Sequence, residues 1–324
     1  MDKMNNWIAS KNVHLPDFII YGAMKSGTST LHYILNQHPH VDIPKGEIGF
    51  FDIDNILQHP AYNTFDGTNW SFQDLELDPE YYWRWYESRF TGCSTHNVVG
   101  EDSTTYLASD IAAKRLSLQD KNIKIIILLR QPTFRSYSHY WHLVRTGRAK
   151  YDFEKTILHE PWSVINRSLY YEQLNKLLHY ISKRNVKILL FEDFINNKRQ
   201  VLYDICTFLG IDYNFLPDYA LSAHKNQTMI HKFPSLQLLK TRLFPESSKK
   251  KIRHLPYNAS TYEFKFSKYV NMIHWFHKKV NPAVLKEIPD INKNTKKYLD
   301  NYFKKELHGI NDLLHRDVMS LWFD

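Results

Sequence analysis

A strand, a small-residue loop and a helix start follow one another between Phe18 and Leu31, and this succession constrains the chain more than anything else in it. The four apolar residues Phe18 to Tyr21 read as a short buried strand. Gly22 and Gly27 permit a tight turn, and Thr28 opens an apolar-periodic helix through Leu31, Ile34 and Leu35. Such a turn aims successive backbone N–H groups at one point, and the helix N-terminus adds partial positive charge there. Lys25 contributes a full charge, and Ser26, Thr28, Ser29 and Thr30 contribute hydroxyl donors. The stretch therefore reads as an anion cradle.

The order of its residues excludes the nucleoside-triphosphate loop, in which Lys is followed directly by Ser or Thr at the end of a longer glycine loop. Here Lys25 comes three residues after Gly22, and Gly27-Thr28 follows it. The order Gly-x-x-Lys-x-Gly-Thr resembles the 5′-phosphosulfate loop of sulfotransferases that use 3′-phosphoadenosine 5′-phosphosulfate (PAPS). A second segment agrees. Lys124 to Leu129 is apolar after its first residue, as suits a parallel strand buried on both faces. Arg130 ends it, Pro132 starts a helix, and Ser138 lies eight residues after Arg130. An Arg at the strand edge and a hydroxyl two turns along the helix can hold one phosphate from two sides. Strand, Arg, Pro and Ser at this spacing resemble the 3′-phosphate motif of the same family.

The resemblance runs from about residue 17 to residue 322. It takes in Ser168-Leu-Tyr170, with Ser168 where Gly is usual, then Val186 to Phe191 with the acidic turn Glu192-Asp193 after it. It also takes in the helix end before Gly210 and the closing helix pair Leu299 to Trp322. It is greatest to bacterial carbohydrate sulfotransferases of the heparan-sulfate type. It implies an α/β fold, a P-loop-like parallel sheet flanked by helices, in a single domain over residues 17–324 behind a lead-in of residues 1–16. It further implies PAPS as cosubstrate, no metal, and a carbohydrate or polysaccharide acceptor sulfated at a hydroxyl or an amine.

Glu47, three residues before Phe50-Phe51, matches the Glu that serves as catalytic base in that branch. Gly46 stands where the adjacent Lys is usual, leaving Lys45 to move in, and Gly49 stands where His is frequent. Asp102, in Gly100-Glu-Asp-Ser-Thr-Thr-Tyr106, occupies a position where relatives carry a Lys that helps hold the acceptor. A carboxylate there predicts a neutral or amino-bearing acceptor sugar. The expected site is thus Lys25 and Glu47 for chemistry, Lys25 to Thr30 with Arg130 and Ser138 for the donor, and Asp102 and Lys45 for the acceptor. None of the 17 histidines sits in a base motif, and the pairs His139/His142 and His274/His277, each one turn apart, have no apparent third or fourth ligand for a metal.

Composition bounds the rest. A chain of 324 residues with 43% hydrophobic content builds one ordinary domain. It has no run of transmembrane length and no signal-peptide core, which favours a cytoplasmic enzyme. Two cysteines make no disulfide framework. Residues 221–324 hold 19 Lys and Arg against 9 Asp and Glu, so the whole surplus of +8 lies there, including Lys249-Lys-Lys251-Ile-Arg253. An anionic cosubstrate would be steered by that field, and no nucleic-acid-binding module is recognisable. Residues 52–97, rich in aromatics, read as an insertion beside the site, and residues 217–256, with His224 to Thr228, as a lid. The oligomeric state is not legible. A small-molecule or lipid sulfotransferase, a P-loop kinase and a non-catalytic nucleotide-binding module are the alternatives, and the loop order counts against the kinase.

Overall fold

The computed structural model describes residues 3–65, 67–222, 229–244, 255–256 and 267–324. Nine strands are present among them: β1 Phe18–Gly22, β2 Val41–Asp42, β3 Thr64–Phe65, β4 Trp70–Ser71, β5 Val98–Asp102, β6 Lys124–Leu129, β7 Val186–Leu190, β8 Met229–His231 and β9 Ala283–Leu285. Five of them form a parallel sheet in the order β2-β5-β1-β6-β7. Strand alternation sorts the side chains of β1 and β6 into two cores. Ile19, Tyr21, Ile125, Ile127 and Leu129 point to one face, and Phe18, Ile20, Ile126 and Leu128 to the other. Helices cover both faces, as the apolar run of β6 requires. The fold is the expected one, a single α/β sheet unit.

Helix α1, Thr28–Leu35, follows β1; α2, Pro79–Ser88, and α3, Ala112–Ser117, lie on either side of β5 in the chain; and α4, Pro132–Arg145, follows β6. The strand ends Gly22, Asp102, Leu129 and Leu190 share that edge, where open parallel sheets bind ligands.

Gly100 shows how tightly β1 and β5 meet. It pairs with Phe18, and a Cβ added to it would come within 2.3 Å of the Phe18 ring. Gly100→Ala is therefore expected to overpack the sheet and to destabilise the protein by roughly 1–3 kcal/mol. Thermal melting checks this, and an unchanged midpoint would refute the packing argument.

Several segments differ from the sequence reading. The lead-in is tied down, because Trp7 is buried against Phe50 and beneath the Arg115 guanidinium at 3.4 Å. Phe191 does not extend β7 but opens a helix, Phe191–Asn196, with Glu192 and Asp193 in its first turn rather than in a loop. Carboxylates there favour a helix start by their charge. The insertion folds as the β3–β4 hairpin and α2. Its Tyr82, Trp83 and Tyr86 are core, with Tyr86 stacked on Phe50 at 4.4 Å, while Phe65, Trp70 and Tyr81 stay exposed. The closing region is three helices, Lys293–Glu306, Ile310–Leu314 and Val318–Phe323. Of the segment read as a lid, His224–Thr228 and Lys249–Arg253 lie outside the described residues. Among the described residues no helix is long and apolar enough to cross a membrane.

Candidate active site

The loop after β1 carries the first half of the site. Lys25 adopts φ 72, a left-handed conformation, and Gly27 caps α1 at φ 87. A Cβ on Gly27 would press to 2.9 Å from the Phe191 ring, so both backbone shape and space demand glycine. The N-terminus of α1 has no side-chain cap and no acidic residue in its first turn. Its amides are thus left for an outside anion. Ser26 is fully buried, and its Oγ has no hydrogen-bond partner. An orphaned hydroxyl beside an uncapped helix start fits a phosphate or sulfuryl oxygen. Thr28 and Thr30 are buried, and Ser29 is half-buried.

Arg130 joins this loop from β6. Its Nη1 donates to the Lys25 carbonyl at 3.1 Å, and its guanidinium lies 4.6 Å from the Phe191 ring centre. Phe191 therefore packs against both halves of the donor site. The backbone beyond Arg130 is fixed as well: Gln131 N donates to Glu192, and Gln131 and Thr133 donate to Asp300. Ser138 is half-buried on α4. Lys25 and Arg130 are brought together as expected.

The loop bearing Glu47 is stitched onto the end of β5. Ile48 N donates to the Asp102 carbonyl, Gly49 N to Ser103 Oγ and Phe51 N to Tyr106 Oη. Beneath it the buried Glu101 accepts from Tyr86, Ser103 and Tyr106. Glu47 itself accepts from Thr104 Oγ1 at 2.8 Å. Protein packed around its carboxyl, then repulsion from Asp102, raises Glu47 to about 7, while the Thr104 bond, Arg167 and His59 act the other way. The residue as a whole is exposed, and the water beside it offsets part of the rise. Burial, then Arg145 and Arg130, lowers Lys25 to about 8, and Glu47 opposes that shift. Glu47 thus lies within electrostatic reach of Lys25.

Two residues expected to hold the acceptor differ in their surroundings. Lys45 is exposed in the turn before Gly46, whose φ is 83. Asp102 is buried, and its Oδ2 lies 2.9 Å from His32 Nδ1. Its Oδ1 is buried without a partner, and its charge still acts on Glu47.

Other residues were not legible as site residues. A Cβ on Gly49 would sit 3.4 Å from His59 Cε1, so the His59 ring fills the space beside Gly49. His59 Nε2 meets Asp52 Oδ1 at 2.7 Å, and the ring stacks on Tyr62 at 4.4 Å. The glycine in place of a frequent His was the signal, but nothing in the sequence connects Gly49 to His59. Arg145, Arg148 and Arg167 form a group of cations. Arg145 meets His142 Nδ1, Arg148 donates to Thr146, and Arg167 donates to Met24 Sδ and the Gln58 carbonyl. None of the three has a carboxylate in ion-pair contact among the described residues. Burial first, then Arg167 and Arg145, lowers Arg148 to about 10, and Glu47 draws both Arg148 and Arg167 upward. His142 is held far below its usual range by burial, then by Lys25, so it is neutral. A groove of about 570 Å³ between Lys187 and Arg316 runs along the outer edge of β7 and shares no residue with this site.

A parallel sheet whose central strand feeds an uncapped, lysine-bearing loop at its carboxyl edge, with the Glu47 carboxylate within electrostatic reach of that lysine, is an arrangement that suits an anionic ligand. The chain belongs to the sulfotransferase family, whose profile matches residues 16–214. It is similar to the membrane-associated sulfotransferase kil1 of Dictyostelium discoideum, at 25% identity over 96% of this chain and 67% of that protein. It is also similar to mouse heparan sulfate glucosamine 3-O-sulfotransferase 5, at 27% identity over 51% of this chain and 45% of that protein. The chain thus spans about two thirds of the first relative and under half of the second. Its fold matches a crystal structure of a sulfotransferase from Alicyclobacillus acidocaldarius with TM-score 0.62, at 24% identity, covering 96% of this chain and 99% of that one.

Proposed function

We propose that the protein transfers a sulfuryl group from PAPS to a hydroxyl or amine of a carbohydrate. The uncapped start of α1, with the partnerless buried hydroxyl of Ser26 beside it and Arg130 held on the Lys25 carbonyl, is the observation that carries this reading. The amides opening α1, with Lys25, Ser26, Gly27, Thr28, Ser29 and Thr30, would hold the phosphosulfate end of the donor, and Arg130 with Ser138 its 3′-phosphate. The donor supplies an activated sulfuryl group on a phosphate leaving group. Glu47 takes the proton from the acceptor atom, and Thr104 fixes its carboxylate for that step. Lys25 and the loop amides carry the charge that builds on the oxygens of the group in transit and of the departing phosphate. His59, held by Asp52 and Tyr62, limits the positions Glu47 can take. Transfer of labelled sulfate from PAPS onto a panel of glycans tests the reading, and no transfer to any member would sink it.

Acceptor choice follows from the charges left over. Besides Asp102, the charges in electrostatic reach of Glu47 are the cations Arg167, Arg148 and Lys25. They favour an acceptor bearing a carboxylate or sulfate near the reacting atom, in place of the neutral sugar that Asp102 suggested. Support for a cytoplasmic location comes from the free thiols Cys93 and Cys206.

The donor assignment makes a selective prediction. Arg130→Ala should weaken PAPS binding more than Ser138→Ala, since charge-assisted contacts contribute roughly 1.5–3 kcal/mol each. Binding of adenosine 5′-phosphosulfate, which lacks the 3′-phosphate, should barely change. Calorimetry showing equal losses for both nucleotides would refute the placement.

A further inference from the structure

Two helices near the site are turned inside out. Helix Pro234–Leu243 buries Gln237, Lys240 and Thr241 and exposes Leu236, Leu239 and Leu243. Helix Ser267–Val280 buries His277 and exposes Met272, Trp275, Phe276 and Val280, a stripe at helical spacing. Trp275 is 58% exposed and Phe276 62%, where an ordinary surface helix would present charge. The strand that follows adds Leu285, 66% exposed. Exposed apolar residues scattered singly need no explanation, but runs of them on two helices tied together through the Phe233–Asn281 hydrogen bonds do.

Among the described residues 229–244 and 270–285 the exposed charges are all basic: Lys232, Arg242, Lys278 and Lys279. Lys278 and Lys279 are exposed, and Lys279 Nζ lies 4.0 Å from the Trp275 ring centre. An apolar surface of Trp, Phe, Met and Leu fringed by lysines and one arginine complements an anionic lipid surface, with the rings at acyl depth and the cationic groups at headgroup level. Sugars would be met by aromatic and polar faces. The aliphatic Leu236, Leu239, Leu243 and Leu285 favour lipid instead.

The geometry points to a peripheral membrane-docking face formed by these two helices and the β8–β9 hairpin, taking anionic phospholipid. The unit is anchored to the site's rim. His231 bridges the Asn281 and Arg145 carbonyls, Asn281 holds Phe233, and Arg242 donates to the Lys150 carbonyl. Docking through this face brings the end of α4, with Arg145, close to the bilayer surface. The enzyme would then meet acceptors displayed there.

Vesicle co-sedimentation of the full chain tests this, using phosphatidylcholine alone and phosphatidylcholine with about a third phosphatidylserine. Binding is expected only to the second and should weaken with salt. Trp275→Ser with Phe276→Ser should lower the partition coefficient about tenfold or more, the worth of burying one large ring. Lys278→Glu with Lys279→Glu should lower it by a similar factor and flatten the salt dependence. Both double variants should keep wild-type nucleotide affinity, which shows that they fold and separates this result from the sulfuryl-transfer reading. No binding to the anionic vesicles, or equal binding by the variants, would overturn the assignment. So would a self-association in sedimentation velocity that the Trp275 and Phe276 changes abolish while vesicles are ignored, since the face would then join two copies.

Discussion

Glu47→Gln should bind the donor nucleotide normally and turn over roughly 10²–10⁴-fold more slowly, the range for loss of a general base. Gln keeps the shape and can still accept from Thr104, so the loss measures the proton transfer and not the loop. The pH profile gives a second, independent signature. A carboxyl raised to about 7 is protonated below that pH and cannot accept a proton, so kcat/KM should fall as pH drops through about 7. Asp102→Asn removes the second-largest cause of the rise and should move that acid limb downward without abolishing turnover. The limb should vanish in Glu47→Gln. Near-normal turnover in that variant would place the base elsewhere, and His59, whose ring lies beside Gly49, would be the next residue to test.

Lys25→Ala should lower turnover by about a hundredfold or more, because one donor aimed at transition-state charge contributes roughly 2.7–4 kcal/mol. Lys25 is lowered to about 8, so it is charged at neutral pH and loses its proton above that value. The alkaline limb of kcat/KM should therefore fall near 8 in the wild type. An anionic donor in place should move it upward, so kcat should hold to higher pH than kcat/KM. A loss below about tenfold, with circular dichroism unchanged, would remove Lys25 from the chemistry.

The donor half of the site was legible because it is local. Gly22, Lys25, Gly27 and Thr28 lie within one turn, and Arg130 stands at the end of an apolar run that can only be a buried strand. The acceptor half was not, because it is assembled across long separations. His32 meets Asp102 across 70 positions, and Arg167 reaches Met24 across 143. A lone Asp reads as a free charge until its partner is seen. The Gly49–His59 contact was hidden for the same reason: the ring arrives through an extra turn after Phe51, and no periodicity reports it. Phe191 failed differently. A strand residue and a helix start look alike when both are apolar, and only its packing on Gly27 and Arg130 decides between them.

Arg145, Arg148 and Arg167 have a consequence for the empty protein. Three guanidinium groups that repel one another, beside Lys25 and without carboxylate partners among the described residues, make the ligand-free fold less stable than its burial alone implies. A bound polyanion relieves that repulsion and, by mass action, adds RT ln(1 + [L]/Kd), about 2.7 kcal/mol at a hundredfold excess over Kd. Melting temperature should then climb with the correct glycan even when no donor is present. It should hardly move with neutral sugars of the same length. A thermal-shift screen can therefore find the acceptor before any turnover is measured.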